Sequence, residues 1–573
     1  MRPIDVLHTA VASFEPFLQP SGEMFDPVYM EPTQYGTAYH MYCQMVLAVK
    51  GRESERAAHL ERAVRGLDAC ITYVADPSLP VRASSMDRVT GKVWGVNHRD
   101  FFWPAMLKAY GILKELGHER VEEFARRLAQ VDIMKSFRAR PPSNWAMVWV
   151  SGEWLRICEG LSPYTKADYD AWLEQYFAEH VIMEMGLYQE PGHPNSYDLF
   201  TRVHMADVLA AGYDGKMLPQ MEQLMETGLK RSLAVQLSDG SLGSGFRSTG
   251  MTWTLGAQCA YFTRAANWFA GRDAVLAAEA WKGAQRAFAS FARFQRAGSY
   301  YSPVENLLPP TYRVGYEDYT ADGHYSNLAM GFMAGAIYSG YDRDTETVVV
   351  DESPRVLVEQ DPTYRAVAHA GRYSVTVNAF PTPHYDGWGL VDLTFGPNRM
   401  FQLTSSAKHL SAAETWYNLG MAVRFEPGRS ELTVMANQDA RPIGPITRGD
   451  SPASVRVKAR VKGSPFTNTL AVDVTSTGVT VAEATPGMVT YKTLLVPYLR
   501  DCGNGQITSV TRDGNTFRFQ LGAEVVRLTV DDEIDHVIDL LHGYENRRGL
   551  CGLLRIDLAK PCEGIRYTVV CEA

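Results

Sequence analysis

The chain of 573 residues is 46% hydrophobic and 21% charged, with a formal net charge of -9. This near-average composition excludes long disorder, collagen and coiled-coil rods. The acidic balance leaves no general electrostatic footprint for nucleic acid or an anionic membrane, and no run approaches the roughly 20 apolar residues needed to span a bilayer.

The N-terminal segment MRPIDVLHTAVASFEPF has one early Arg followed at once by Pro and Asp, and no continuous apolar stretch. It does not read as a secretory signal, so a cytoplasmic location is the default, and a periplasmic or secreted one applies if a leader has been removed. From there to about residue 340 the pattern is helical, and two helix types alternate. Charged amphipathic helices are expected over Asp5–Phe17, Ser54–Val74, His118–Phe137, Lys166–Met183, Lys216–Gln236 and Arg272–Phe294, each with a wet face suited to an outer layer. Between them, Tyr39–Ala48, Phe101–Leu113, Trp145–Cys158, Tyr197–Ala210, Met251–Phe269 and Tyr325–Tyr338 are apolar nearly all round, as buried helices are. Six outer-inner pairs at a period of roughly 50 to 60 residues predict an (α/α)6 toroid, with an open solenoid or irregular bundle as the alternative.

Beyond the charged stretch Asp342–Pro354 the chain changes to Val and Thr alternation with frequent Gly and Pro. Short strands are expected at Tyr373–Phe380, Gly389–Phe395, Ser454–Val461, Leu470–Val474 and Phe517–Leu521, the pattern of antiparallel sheets. The fold class is therefore α+β multidomain, with a toroid over residues 1–345 and an antiparallel β-sheet, sandwich-like region over 346–573. The eight cysteines show no CxxC pair or zinc-ribbon spacing and read as reduced, mostly buried thiols.

A polar and aromatic cluster opens each inner helix: Gln34-Tyr35-Gly36, Asn97-His98-Arg99-Asp100, Ser143-Asn144-Trp145, His193-Pro194-Asn195-Ser196-Tyr197-Asp198, Arg247-Ser248-Thr249 and Asp322-Gly323-His324-Tyr325. Capping of free backbone N–H groups explains Ser, Asn, Asp and Thr there, but not His, Arg or Tyr. Alternating hairpins point all six helix starts to one end of the ring, where spare N–H donors and partial positive charge favour an anionic group. The densest cluster, GHPNSYDLFTRVH, reads as an acid-base centre: His193 is poised near neutral pH, Asn195 donates to a carboxylate, and Tyr197 handles a proton. The plain reading makes Asn195 or Ser196 a cap, Tyr197 core, and His204 core or channel lining. Asp239–Gly245 matches no nucleotide fingerprint and reads as a cleft loop, and Tyr312, Tyr316 and Tyr319 belong to a loop that closes over the ring or seals the domain interface. No cofactor is expected. His384, Asp386 and His409, with Asp392, come nearest to a structural metal set, but their spacing is loose and turn or surface positions account for them.

A helical ring followed by antiparallel sheets resembles the polysaccharide lyases of the chondroitin, hyaluronan, alginate and heparinase types. The motifs that carry the resemblance are GHPNSYDLF, NHRDFFW and DGHYSNLAMG, and they look most like lyases that remove α-L-rhamnose from glucuronate. The resemblance implies β-elimination at a 4-O-linked uronate, leaving a C4–C5 double bond, on an acidic oligosaccharide or polysaccharide. It implies carboxylate neutralisation by Asn195 with His193 or an Arg, and a proton shuttle at Tyr197 or Tyr325 with His193 or His324 as partner base. His98, Arg99, Asn144, Arg247, Trp253 and His324 are the substrate-binding candidates. An adjacent Asn-His pair with a Tyr at the families' usual distance is not evident, which leaves the shuttle open between the two tyrosines.

Two other classes fit the pattern. A toroidal glycoside hydrolase of unsaturated uronates needs cleft carboxylates, for which Asp100, Asp198 and Asp322 stand at suitable positions. A non-catalytic carbohydrate binder needs only the aromatics, such as Trp103, Trp145, Trp149 and Trp253. Oligomeric state is not legible.

Overall fold

The computed structural model describes residues 2–33, 35–80, 83–86, 93–95, 98–137, 144–317, 319–341, 353–381, 385–396, 401, 419–424, 433–434, 440–461 and 465–572. Its helices are α1 (Pro3–Ala12), α2 (Gly36–Lys50), α3 (Arg56–Ala75), α4 (Arg99–Glu115), α5 (Val121–Ala129), α6 (Ile133–Ser136), α7 (Asn144–Cys158), α8 (Lys166–His180), α9 (Asn195–Ala210), α10 (Leu218–Val235), α11 (Trp253–Phe269), α12 (Ala274–Phe291) and α13 (Asp322–Tyr338).

The apolar helices α2, α4, α7, α9, α11 and α13 each pack on the next, and α13 packs back on α2. Each also pairs with an amphipathic helix: α2 with α3, α4 with α5, α7 with α8, α9 with α10, α11 with α12, and α13 with α1. One apolar cluster runs through all of these helices, from Leu7 and Met45 through Trp103, Trp149 and Phe262 to Met333. The expected outer helix His118–Phe137 is divided, because Asp132 accepts hydrogen bonds from the amides of Met134 and Lys135 and starts the new turn α6. Inner helices mostly begin two or three residues earlier than the apolar pattern suggested, at Gly36, Arg99, Asn195 and Asp322. Part of each polar cluster therefore lies inside the first turn, as Arg99, Asn195, Tyr197, His324 and Tyr325 do, while Tyr35, His98 and His193 stand just ahead of it.

The second half is antiparallel throughout its three sheets. Arg355–Glu359, Arg365–Ala370, Tyr373–Asn378 and Gly389–Phe395 form a four-stranded sheet in sequence order. A five-stranded sheet is built around Tyr491–Asp501 and Gly549–Leu558, and a nine-stranded sheet around Ser454–Val461, Thr467–Thr475, Gly478–Ala484 and Gly564–Cys571. Thr467–Thr475 alternates buried and part-exposed residues as a one-sided strand does. Arg365–Ala370 and Tyr373–Asn378 are instead buried at every position. Their apolar face, Ala366, Ala368, Val375 and Val377, joins the core shared with the other sheets. Their polar face lies on the helices: His369 Nε2 bonds the Ala234 carbonyl at 2.7 Å, the Ser238 amide donates to Ser374 Oγ at 2.9 Å, and Arg365 reaches Asn195.

Candidate functional site

The starts of α2, α4, α7, α9, α11 and α13 meet in one continuous aromatic and polar surface. Tyr35 stacks on Phe101 at 4.9 Å between ring centroids and lies 4.7 Å from His324 and 5.7 Å from His98. His98 contacts Trp145 at 4.8 Å, Phe101 contacts Phe200 at 5.7 Å, and Tyr197 contacts Trp253 at 6.1 Å. Tyr325 closes the circuit against His324 at 4.6 Å and Tyr319 at 6.2 Å. Thus His98, Asn144, Tyr197, Arg247, Trp253, His324 and Tyr325, which are up to 227 residues apart in sequence (325 minus 98), share one mouth.

Arg247 is its hub. The guanidinium lies 4.4 Å from the centroid of the Tyr197 ring and pairs with Glu190, whose carboxylate also accepts from Asn144 Nδ2 at 2.7 Å. The Arg247 side chain is still 31% exposed. Asn144 Oδ1, Glu190 Oε2, Arg247 Nε and His193 Nδ1 are each buried without a hydrogen-bond partner among the described residues. Such groups cost free energy unless something meets them. The Ser248 hydroxyl sits 3.4 Å from the Tyr197 phenol oxygen and 3.1 Å from that of Tyr319. Burial raises the Tyr197 pKa above its ordinary 10.0, and the Arg247 cation opposes that shift. Burial, reinforced by Arg365 and Arg231, pushes the His193 imidazole below its ordinary 6.5. At neutral pH Tyr197 is therefore a proton donor and His193 a free base.

Three non-glycine residues with positive φ lie in this wall: His193 at 48°, Phe246 at 67° and Ser248 at 61°. Each such conformation costs about 1–3 kcal/mol and persists only where surroundings over-determine it. For Phe246 and Ser248 those surroundings come from the sheet half and from the segment before α13. The Phe246 amide donates to Asp386 at 2.5 Å, its carbonyl accepts from Arg547 at 3.0 Å, and the Ser248 amide donates to Glu317 at 2.5 Å. Ser244 gives both its amide and hydroxyl to Asp392, at 2.6 and 2.8 Å. The loop Asp239–Gly245 is thus tied down from the four-stranded sheet, and it shapes the wall rather than binding a nucleotide.

Asn195 takes a different place from the one its residue type suggested. It is 1% exposed and caps no helix N–H. Its Nδ2 donates to the Gly243 carbonyl at 3.0 Å, while its Oδ1 accepts from Arg231 at 2.9 Å and Arg365 at 2.8 Å. Asn195 is a keystone beneath the mouth, joining α9, the loop and the sheet. A Cβ on Gly245 would come 2.6 Å from Asn195 Nδ2 and 2.9 Å from Arg365 Nη1, neither of which has room to yield. Gly245→Ala is expected to cost about 1–3 kcal/mol by overpacking and to lower turnover, as checked by thermal midpoint and rate on the same preparation.

Arg99 is a correction to the expected set. It points away from the mouth, donating to the carbonyls of Tyr73 at 2.9 Å, Asp76 at 3.3 Å and Leu79 at 2.9 Å, where it satisfies the free C-terminal end of α3. Trp253, 2% exposed, is wall packing, and His324, 1% exposed, has its pKa held well below 6.5 by burial and then by His98. His204 is core, in edge contact with Phe200 at 5.0 Å. Asp386 is spent on Phe246, and His384 and His409 lie outside the described residues. The hydrolase carboxylates are also withdrawn: Asp100, Asp198 and Asp322 are fully buried. Burial alone would raise the Asp198 carboxyl, but Arg202 and Arg231 hold it below its usual value. Glu190, the carboxylate that does reach the mouth, had no motif to announce it. Its position three residues before His193 was the only sequence signal.

No family model and no curated protein sequence matches the chain. Solved structures do. The chain aligns over 100% of its length with 79% of a chondroitin AC lyase of Streptomyces coelicolor A3 in complex with chondroitin sulphate, at 12% identity and a TM-score of 0.52. It aligns over 99% of its length with 56% of a Paenibacillus xanthan lyase, at 10% identity and a TM-score of 0.50. The shared feature is the fold, helical half and antiparallel sheets together.

Proposed function

We propose that the protein is a polysaccharide lyase that cleaves a 4-O-linked uronate by β-elimination. The observation that carries the reading is the half-exposed Arg247 guanidinium, laid over the Tyr197 phenol and braced by Glu190 and Asn144. A uronate carboxylate meeting Arg247 is neutralised at the moment its α-proton becomes acidic. His193, neutral at pH 7, takes the C5 proton; the C4–O4 bond breaks as the C4–C5 double bond forms, and the Tyr197 hydroxyl protonates the departing O4. Tyr325 and His324, 6% and 1% exposed, are less accessible for the same task. The (α/α)6 toroid is our reading of the inner helices, supported by the packing of α13 on α2. We keep the division into a helical unit over 1–345 and a sheet unit over 346–573. The finer substrate, an L-rhamnose-α-1,4-D-glucuronate bond, rests on the motifs GHPNSYDLF, NHRDFFW and DGHYSNLAMG.

Uronate glycans of defined linkage, assayed by the ultraviolet absorbance of the new double bond, test the reading. A lyase generates the chromophore, a hydrolase of unsaturated sugars consumes it, and a binder leaves it unchanged. The pH profile tests the base. Because the His193 pKa is lowered from 6.5, the free-enzyme profile of kcat/KM should hold through neutrality and fall only below that value. His193→Gln should remove that acid limb along with most of the rate; a limb that survives it would assign the base elsewhere.

A further inference from the structure

The outer face of the helical half carries a second cluster, remote from the mouth and independent of the lyase reading. His8 of α1, Glu55 just before α3, and His59 of α3 bring one ligand atom each to within 4.8 Å of one another. His8 Nε2 is 2.9 Å and His59 Nε2 3.7 Å from Glu55 Oε2. Tetrahedral zinc, with ligand bonds near 2.0–2.2 Å, sets its ligand atoms roughly 3.3 Å apart, between these two distances.

A buried relay shows which nitrogen of His59 is free. Asn327 Nδ2 donates to the Gly323 carbonyl at 2.6 Å, so its Oδ1 accepts from His40 Nδ1 at 3.0 Å. The other His40 nitrogen then accepts from Gln44 Nε2 at 3.0 Å, and Gln44 Oε1 accepts from His59 Nδ1 at 2.6 Å. A carbonyl only accepts, so this chain has one direction, and in the neutral ring it leaves the lone pair of His59 on Nε2. That lone pair faces Glu55 Oε2, which His8 Nε2 also meets at 2.9 Å, while Arg52 takes the other carboxylate oxygen at 3.3 Å. Two electron-rich atoms facing each other repel unless a cation lies between them. The bond from His59 to Gln44 is the outer contact that orients a metal-bound histidine.

We propose that His8, Glu55 and His59 bind a divalent transition metal of the zinc class. A cavity of about 120 Å³ bordered by Asp5, His8, Leu47 and Arg52 opens beside His8. The metal would staple α1 to α3, both of which pack on α2.

The test is calorimetric titration of the full chain, stripped with chelator, with Zn²⁺, followed by the visible spectrum with Co²⁺. The expected result is one equivalent bound, a raised thermal midpoint and a tetrahedral Co²⁺ spectrum. His8→Ala, which removes a partly exposed side chain, and Glu55→Gln lose the equivalent and the spectrum while circular dichroism is unchanged. Gln44→Ala weakens binding by roughly 10- to 100-fold. Absence of a metal-dependent shift in the unaltered chain, or binding undiminished in His8→Ala and Glu55→Gln, overturns the site and leaves a proton-bridged cluster in its place. Neither outcome bears on uronate cleavage.

Discussion

Tyr197→Phe should lower the rate of double-bond formation by roughly 10²- to 10⁴-fold, the contribution of a positioned acid or base. Among the described residues the phenol oxygen is held by the Ser248 hydroxyl at 3.4 Å, and the ring packs on Phe200 and Trp253. Phe preserves those ring contacts and the cation above them, so the thermal midpoint should stay near that of the parent. KM should also change little, because Arg247, the proposed partner of the carboxylate, is untouched. A loss confined to KM would show Tyr197 to be a binding surface. A loss below ten-fold would move proton transfer to another group, with Tyr325 the next to replace.

Arg231→Ala should be the most destabilising single change at the junction of helices and sheet. Its guanidinium, 3% exposed, meets Glu359 at 2.6 and 3.2 Å, Asp198 at 2.8 Å and Asn195 at 2.9 Å. Removing it takes two hydrogen bonds from Glu359 and leaves that carboxylate buried, a change that costs about 3–5 kcal/mol. Asp198 is less affected because Arg202 still reaches both of its oxygens, at 3.0 and 2.6 Å. The thermal midpoint is the measurement, and the double variant Arg231→Met with Glu359→Met should recover part of the loss, since an apolar pair leaves no orphan charge. A shift matching that of an exposed ion pair, about 1 kcal/mol or less, would show the junction to be held by something else. Activity should fall with stability here, because Arg231 and Arg365 together fix Asn195 beneath the mouth.

These two positions mark the limits of reading the chain. Tyr197 stands out in the sequence because a helix apolar nearly all round has no need of His and Tyr at its start, and capping does not account for them. Arg231 was not legible, since on α10 it reads as one more charge on an amphipathic helix. The same ambiguity misplaced Arg99, which stands beside His98 in sequence. His98 lies ahead of α4 with non-helical backbone and contacts Trp145, while Arg99, the first residue of the helix, turns back to the end of α3. Glu190 joined the site from a short loop, where no periodicity exists to report a direction.

What the sequence determined by itself is whatever depends on local pattern. The alternation of wet and dry helices, the change to strands after residue 341 and the gathering of polar residues at helix starts are all properties of neighbours in the chain. Tertiary structure decided which polar residues remain available. Arg365, His369, Ser374 and Asp392 alternate with apolar residues as a solvent-facing edge would, yet that face is buried on the helices, where each polar group finds a partner. Asn195 has the residue type of a group that meets a carboxylate, yet it is consumed by three internal bonds. A side chain's chemistry is written in its identity, but its freedom to act depends on the hydrogen-bond partners that distant segments bring to it.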